Sequence, residues 1–308
     1  MPPPDEHAIL LKVLAVIAAS VPFALYWMSM RRPRAAVPPP VRDSIWDAPA
    51  PPPLPPPPSP AAGSWWERRD AWFALVLAGI VAGLMGPLAS LGMTPADGGA
   101  VKINFTPVFF AAQLLFQAAL VAIVVAYLKV HRRFNLVTIF GFKNLTPLRT
   151  VGTALLWIIP GFFAVILTGG LIVVLLKQLT GMEMPEQMIV QSARQMTDPA
   201  TLAMLGLTVC IGAPVMEELI FRGLFFTVAA RYIHRHYALL ASALFFAVIH
   251  NNLMSLVPLT MLGILFGIAY ERTRTLAVPI LMHTVFNGIQ FLYLLYGDDL
   301  QKAAERLL

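Results

Sequence analysis

The sequence predicts an all-α membrane protein: a polytopic helical bundle of about eight transmembrane helices around an intramembrane polar cavity. Three observations carry that expectation. Of 308 residues, 58% are hydrophobic and only 12% charged, where a soluble domain carries about a quarter charged residues. Mean hydropathy is +0.72, and apolar runs near the roughly 20 residues that cross a bilayer recur along almost the whole length. Ionisable side chains nevertheless interrupt three of these runs, and such groups inside a bilayer are by default partnered, inward-facing and functional.

The first apolar run, residues 8–30, follows the acidic "PPPDEH" and precedes "RRPR". That charge order is the reverse of a cleaved signal peptide, so residues 1–30 read as a retained transmembrane anchor with the N-terminus outside. Residues 31–64 contain "PPPLPPPPSP", which lacks helix donors and favours extended polyproline II. They read as a semi-rigid cytoplasmic linker, the alternative being a ligand for a proline-reading module. "WWERRDAW" then sets Trp65, Trp66 and Trp72 beside Arg68 and Arg69, the composition of a membrane interface.

Further spans are expected over 71–93, 107–128, 150–176, 201–233, 238–253, 255–270 and 276–296. Residues 65–149 would hold the helices preceding a core at 150–296, with a tail at 297–308. The 201–233 segment is too long for one straight crossing, and Pro214 is expected to kink it and free backbone carbonyls there. Residues 178–200 leave room for a short interfacial helix or cap. Alternating the spans from an outside N-terminus collects most Lys and Arg on the cytoplasmic side. The net charge of +6 is therefore topology and not a nucleic-acid footprint. The chain is expected in a bacterial inner membrane. The single cysteine, Cys210, excludes an internal disulfide and reads as a small buried hydrophobe.

The polar residues fall on three spans: Glu217, Glu218 and Arg222 in "MEELIFRG"; His250, Asn251 and Asn252 in "FFAVIHNN"; and His283 and Asn287 in "MHTVFNG". Glu218 and Arg222 are four apart and able to pair, whereas Glu217 is turned about 100° away. His283 and Asn287 share a face by the same spacing. Counting about 1.5 Å per residue from the cytoplasmic ends puts Glu217 roughly 24 Å deep, His250 roughly 18 Å and His283 to Asn287 roughly 11 to 17 Å. One cavity fed by three helices is feasible.

Peptide-bond hydrolysis fits this set. A carboxylate withdrawn from water takes a proton from a bound water, a histidine polarises that water, and a His/Asn pair holds the oxyanion. Covalent catalysis is weaker, since Thr284 and Cys210 have no adjacent base. Zinc is the competitor, with Glu217, His250 and His283 as ligands, although no H-E-x-x-H helix is present. Buried Glu, His and Arg also build proton relays, so a transporter is the alternative of another class, and an inactive scaffold a third. Phe246 reads as packing, Asn251 and Asn252 as a cap or cavity lining, and His131, His234 and His236 as interface residues.

At these residues the sequence resembles the CPBP family of intramembrane proteases, also called the CAAX-protease and bacteriocin-processing or Abi family. The family's E-E-x-x-x-R corresponds to Glu217, Glu218 and Arg222, its F-x-x-x-H to Phe246 and His250, and its H-x-x-x-N to His283 and Asn287. The resemblance covers approximately residues 150–296. It implies that Glu217 and His250 activate water, that His283 and Asn287 form the oxyanion site, and that Glu218 and Arg222 orient the others. These enzymes were long labelled metalloproteases, and the similarity favours a glutamate-dependent mechanism with no cofactor. Its partners would be the lipid bilayer and a peptide or membrane-protein substrate, with prenylated C-termini and bacteriocin-like peptides among the classes.

Overall fold

The computed structural model describes residues 66–90, 93–95, 101–103, 105–180, 190, 193–252 and 254–305. The expected anchor (1–30) and linker (31–64) lie outside the described residues, as does much of the 178–200 segment. The rest is helical, as the composition predicts: α1 (Arg68–Ser90), α2 (Pro107–His131), α3 (Leu136–Ile139), α4 (Pro147–Thr180), α5 (Pro199–Tyr232), α6 (Arg235–Val248), α7 (Leu256–Thr273) and α8 (Ala277–Glu305). One feature is absent from the sequence reading, a short antiparallel hairpin pairing Met93–Pro95 with Val101–Ile103. The "ADGG" turn signal between its strands is what could have revealed it.

Among the described residues, five helices are long and apolar enough to cross a membrane: Pro107–His131, Pro147–Leu179, Pro199–Tyr232, Leu256–Thr273 and Ala277–Gly297. The protein is an integral membrane protein. The expected 71–93 span corresponds to α1, and the expected 238–253 span to α6, which ends early at Val248. The count of eight is thus not reached by these five. The early stop has a local cause in the sequence "HNN". Asn251 takes a left-handed φ of 50°, which asparagine tolerates better than most residues, and the Asn252 side chain accepts from Met254 N and Ser255 N.

Helices α6 and α7 form the tightest hairpin of the bundle. Gly263 and Gly267 are four apart and present a small-residue stripe: a Cβ on Gly263 would lie 3.1 Å from the Ala243 Cα, and one on Gly267 would overlap Leu239. Small residues of this kind let membrane helices approach closely. Helix α4 packs Ala154 and Ile158 with Leu262, Phe266, Val278, Met282 and Phe286, and exposes Leu156, Phe163, Ile166 and Leu167 on its other side. An apolar outward face suits lipid.

A polar clamp joins α1 to the end of α2. Asp70, fully buried, accepts from the Tyr127 hydroxyl at 2.6 Å and pairs with Arg132 Nε at 3.0 Å. Arg132 also pairs with Glu67 at 2.8 Å, and Phe73 stacks on Tyr127 with centroids 3.7 Å apart. Burying a carboxylate demands partners of this kind.

Helix α5 carries the first polar motif and is not regular. It is α-helical over Pro199–Leu207, π-helical over Thr208–Gly212, α-helical over Ala213–Glu218, π-helical over Leu219–Phe226 and α-helical again over Thr227–Tyr232. The irregularity expected at Pro214 is therefore a π-turn immediately upstream of the proline. Each π-turn admits an extra residue and leaves carbonyls that side chains can take up. Ser242 Oγ donates to the Phe221 carbonyl at 3.0 Å in this way, tying α6 to α5.

Candidate active site

Glu217 and Glu218 end the central α-helical stretch of α5, and Arg222 sits one turn on, inside the second π-turn. Arg222 Nη1 donates to Glu218 Oε1 at 2.6 Å, the pairing that the four-residue spacing predicts. Arg222 is 1% exposed and Glu218 0%, so neither charge is solvated and each needs the other. The guanidinium has more partners than the sequence suggested. Nη2 donates to the Gly263 carbonyl at 3.0 Å, and the group lies over the Phe246 and Phe266 rings at 4.7 and 5.2 Å. A planar cation with ring faces and a carbonyl around it is held in one orientation.

His283, on α8, joins the two glutamates. Its Nδ1 stands 3.0 Å from Glu218 Oε1, and its Nε2 is 3.8 Å from Glu217 Oε2. Glu218, paired with a guanidinium, is an ionised acceptor, so Nδ1 carries the proton and donates; Nε2 is directed to Glu217. Glu217 Oε2 is buried and makes no hydrogen bond, as is Glu218 Oε2. The 3.8 Å separation is too long for a direct hydrogen bond.

The other two candidates stand apart from this cluster. His250 lies in the turn after α6, exposed, and not in the span where the sequence reading put it. Its Nδ1 donates to the Phe246 carbonyl at 2.7 Å, which leaves Nε2 with its lone pair. It is linked to His283 through Phe246, whose ring is 4.9 Å from His250 and 5.8 Å from His283. Asn287 lies one turn beyond His283, and its Nδ2 donates to the Val209 carbonyl at 2.7 Å. The expectation that its carboxamide simply shares an oxyanion with His283 is thereby modified, since one N–H is already engaged. Among the described residues, no three His, Cys, Asp or Glu side chains gather to hold one metal ion.

The sequence reading missed Phe266 and Gly263 and undervalued Phe246. Phe246 does pack, at 1% exposure, but its ring also faces Arg222. Gly263 supplies a carbonyl because no side chain shields it; a Cβ there would lie 3.2 Å from Arg222 Nη2. The legible signal was the G-x-x-x-G spacing with Gly267.

All three motifs fall within one matched segment. Residues 199–289 match the Rce1-like family, described as type II CAAX prenyl endopeptidase Rce1-like. The resemblance carried by the motifs is thereby shown for that segment. The chain is 28% identical over 139 residues to the candidate membrane peptidase YdiL of Bacillus subtilis (strain 168), covering 45% of this chain and 55% of that protein. It is 33% identical over 105 residues to the membrane-embedded CAAX protease MroQ of Staphylococcus aureus (strain USA300), covering 32% of this chain and 42% of that protein. The chain spans about half the length of the curated relatives it matches. No solved structure matches. The Rce1-like segment begins with α5 and ends in α8, and the motif residues described above all lie on α5, α6, α8 and the turn after α6.

Proposed function

We propose that this chain is an intramembrane endopeptidase that hydrolyses a peptide bond with a water activated by Glu217. The observation supporting this best is the series of buried Arg222, Glu218 and His283 leading to half-buried Glu217, with contacts of 2.6, 3.0 and 3.8 Å. Arg222 compensates the buried Glu218 carboxylate, and Glu218 holds the His283 imidazole in place through Nδ1. Glu217 is the carboxylate left over to work as a base.

In the proposed reaction Glu217 takes a proton from water as the hydroxide adds to the scissile carbonyl carbon. His250, separated from His283 by the Phe246 ring, takes the water-orienting role that the family resemblance implies, its Nε2 coming to that water when substrate is bound. The oxyanion is stabilised by His283 Nε2–H and by the Asn287 N–H that does not bond Val209. As the C–N bond breaks, Glu217 returns its proton to the amine, and the carboxylate product is released. No cofactor is proposed. Glu218 Oε1 already accepts from Arg222 and His283, so zinc at this point would face a guanidinium.

The substrate class to test first is a peptide or membrane-protein segment with a prenylated C-terminus, which the name of the matched family suggests; bacteriocin-like peptides are the second. A bacterial inner membrane with the N-terminus outside is the proposed setting. The test uses the full chain in liposomes with a farnesylated CAAX peptide and a pool of transmembrane peptides, products being read by mass spectrometry. Cleavage by wild type that disappears in Glu217→Gln, His250→Ala and His283→Ala and persists under stringent chelation is expected. Cleavage surviving all three substitutions, or lost on chelation and restored by zinc, would overturn the assignment.

A further inference from the structure

The bond from Asn287 to Val209 has a cause in the backbone of α5. In the π-turn over Thr208–Gly212 the Ala213 N–H goes to the Thr208 carbonyl, five residues back. The next donor in that register would be residue 214, and it would serve the Val209 carbonyl. Residue 214 is a proline and has no N–H. The Ala213 N–H is already used at Thr208, so Val209 is left without a backbone donor in the middle of a membrane-spanning helix, where an unsatisfied carbonyl is costly. Asn287 Nδ2 fills that vacancy at 2.7 Å.

We infer that Asn287 is a positioning residue that stands in for the backbone N–H missing at Pro214, and so locks the π-turn that sets the rotational phase of Glu217 and Glu218. One extra residue in a turn rotates everything after it by about 100° relative to what comes before. The upstream stretch of α5 is fixed by its own packing: Leu205 and Val209 join Phe109, Phe110 and Phe291, and Thr208 Oγ1 donates to the Met204 carbonyl at 2.7 Å. The π-turn therefore decides which way the two carboxylates downstream point. His283 and Asn287, one turn apart on α8, grip α5 at both levels, His283 at the carboxylates and Asn287 at the turn.

The inference does not depend on the protease reading, and its test needs no substrate. Full-length protein in mixed micelles is unfolded by detergent titration as wild type, Pro214→Ala, Asn287→Leu and the double variant. Asn287→Leu should lower the folded-to-unfolded ratio about tenfold or more in the wild-type background. In the Pro214→Ala background, where a backbone N–H again reaches Val209, the same change should cost less than about threefold. The second readout is maleimide labelling of Cys210, the single cysteine of the chain, which lies inside the π-turn. Its rate should shift severalfold in Asn287→Leu and return toward wild type in the double variant. Equal costs in both backgrounds, or a Cys210 rate indifferent to Asn287→Leu, would overturn the inference. Should Pro214→Ala fail to fold, Asn287→Asp keeps the side-chain shape without the donor, and an unchanged Cys210 rate in that variant overturns it equally.

Discussion

His283 and Glu218 meet at an oxygen that is already taken: His283 Nδ1 lies 3.0 Å from Glu218 Oε1, which also accepts from Arg222 Nη1 at 2.6 Å. The imidazole is therefore held by a carboxylate whose charge is itself held. Removing Arg222 would strand Glu218 as an uncompensated buried charge. Arg222→Met should destabilise the folded protein by about 3–5 kcal/mol, and Arg222→Lys should not restore it fully, because an ammonium cannot span Glu218 and the Gly263 carbonyl while lying flat against two rings. Unfolding titrations of the two variants check this.

The closeness of α6 and α7 gives a second expectation. A Cβ on Gly263 would come within 3.1 Å of Ala243 and 3.2 Å of Arg222 Nη2, so Gly263→Ala must part the helices or displace the guanidinium. A loss of about 1–3 kcal/mol is expected. Gly79→Ala is the control: nothing lies within 4 Å of its Cβ, and replacing glycine in a helix should gain about 0.5–1 kcal/mol. Comparable losses at both positions would contradict the packing argument.

His250 separates chemistry from stability. It is exposed, and its side chain bonds the Phe246 carbonyl at 2.7 Å. His250→Ala should leave the unfolding midpoint near that of wild type and lower kcat on a cleaved probe peptide by about 10² to 10⁴. A matching loss of stability would mean that the residue serves the fold.

Much of this arrangement was legible in the sequence, and the reasons differ from residue to residue. The pairing of Arg222 with Glu218 follows from helix spacing alone, and the membrane helices follow from apolar run length. The position of His250 did not follow, because the Asn251 left-handed turn ends α6 after Val248, and hydropathy does not register a single backbone reversal. The partner of Asn287 was hidden for a similar reason. A π-turn is invisible in composition, and although Pro214 announced an irregularity, only the fold shows which side chain satisfies Val209. Phe266 and the Gly263 carbonyl belong to a helix with no polar motif of its own, so nothing in their local sequence pointed to Arg222.

Asp198 gives a pH dependence outside the spans. It caps α5, accepting from Thr201 N at 2.8 Å and from the Thr201 hydroxyl. These hydrogen bonds, the hydroxyl first and the backbone N–H second, hold its carboxyl below the ordinary carboxylate range. A lowered folded-state value means that the stabilisation is complete above the unfolded value, about pH 4, and is lost as pH falls through the lowered one. Thermal unfolding scans between about pH 6 and pH 3 should show a loss on acidification that is smaller in Asp198→Asn, a neutral residue that still caps. Identical pH profiles for the two proteins would contradict this.

If Glu217 and not Glu218 is the base, the turnover of Glu217→Gln on a peptide that the wild-type chain cleaves decides it. In that variant kcat should fall by about 10² or more while KM and the unfolding midpoint stay close to wild type, because the carboxylate at 217 has no hydrogen bond to lose at Oε2. A Glu217→Gln protein that turns over at the wild-type rate would contradict it.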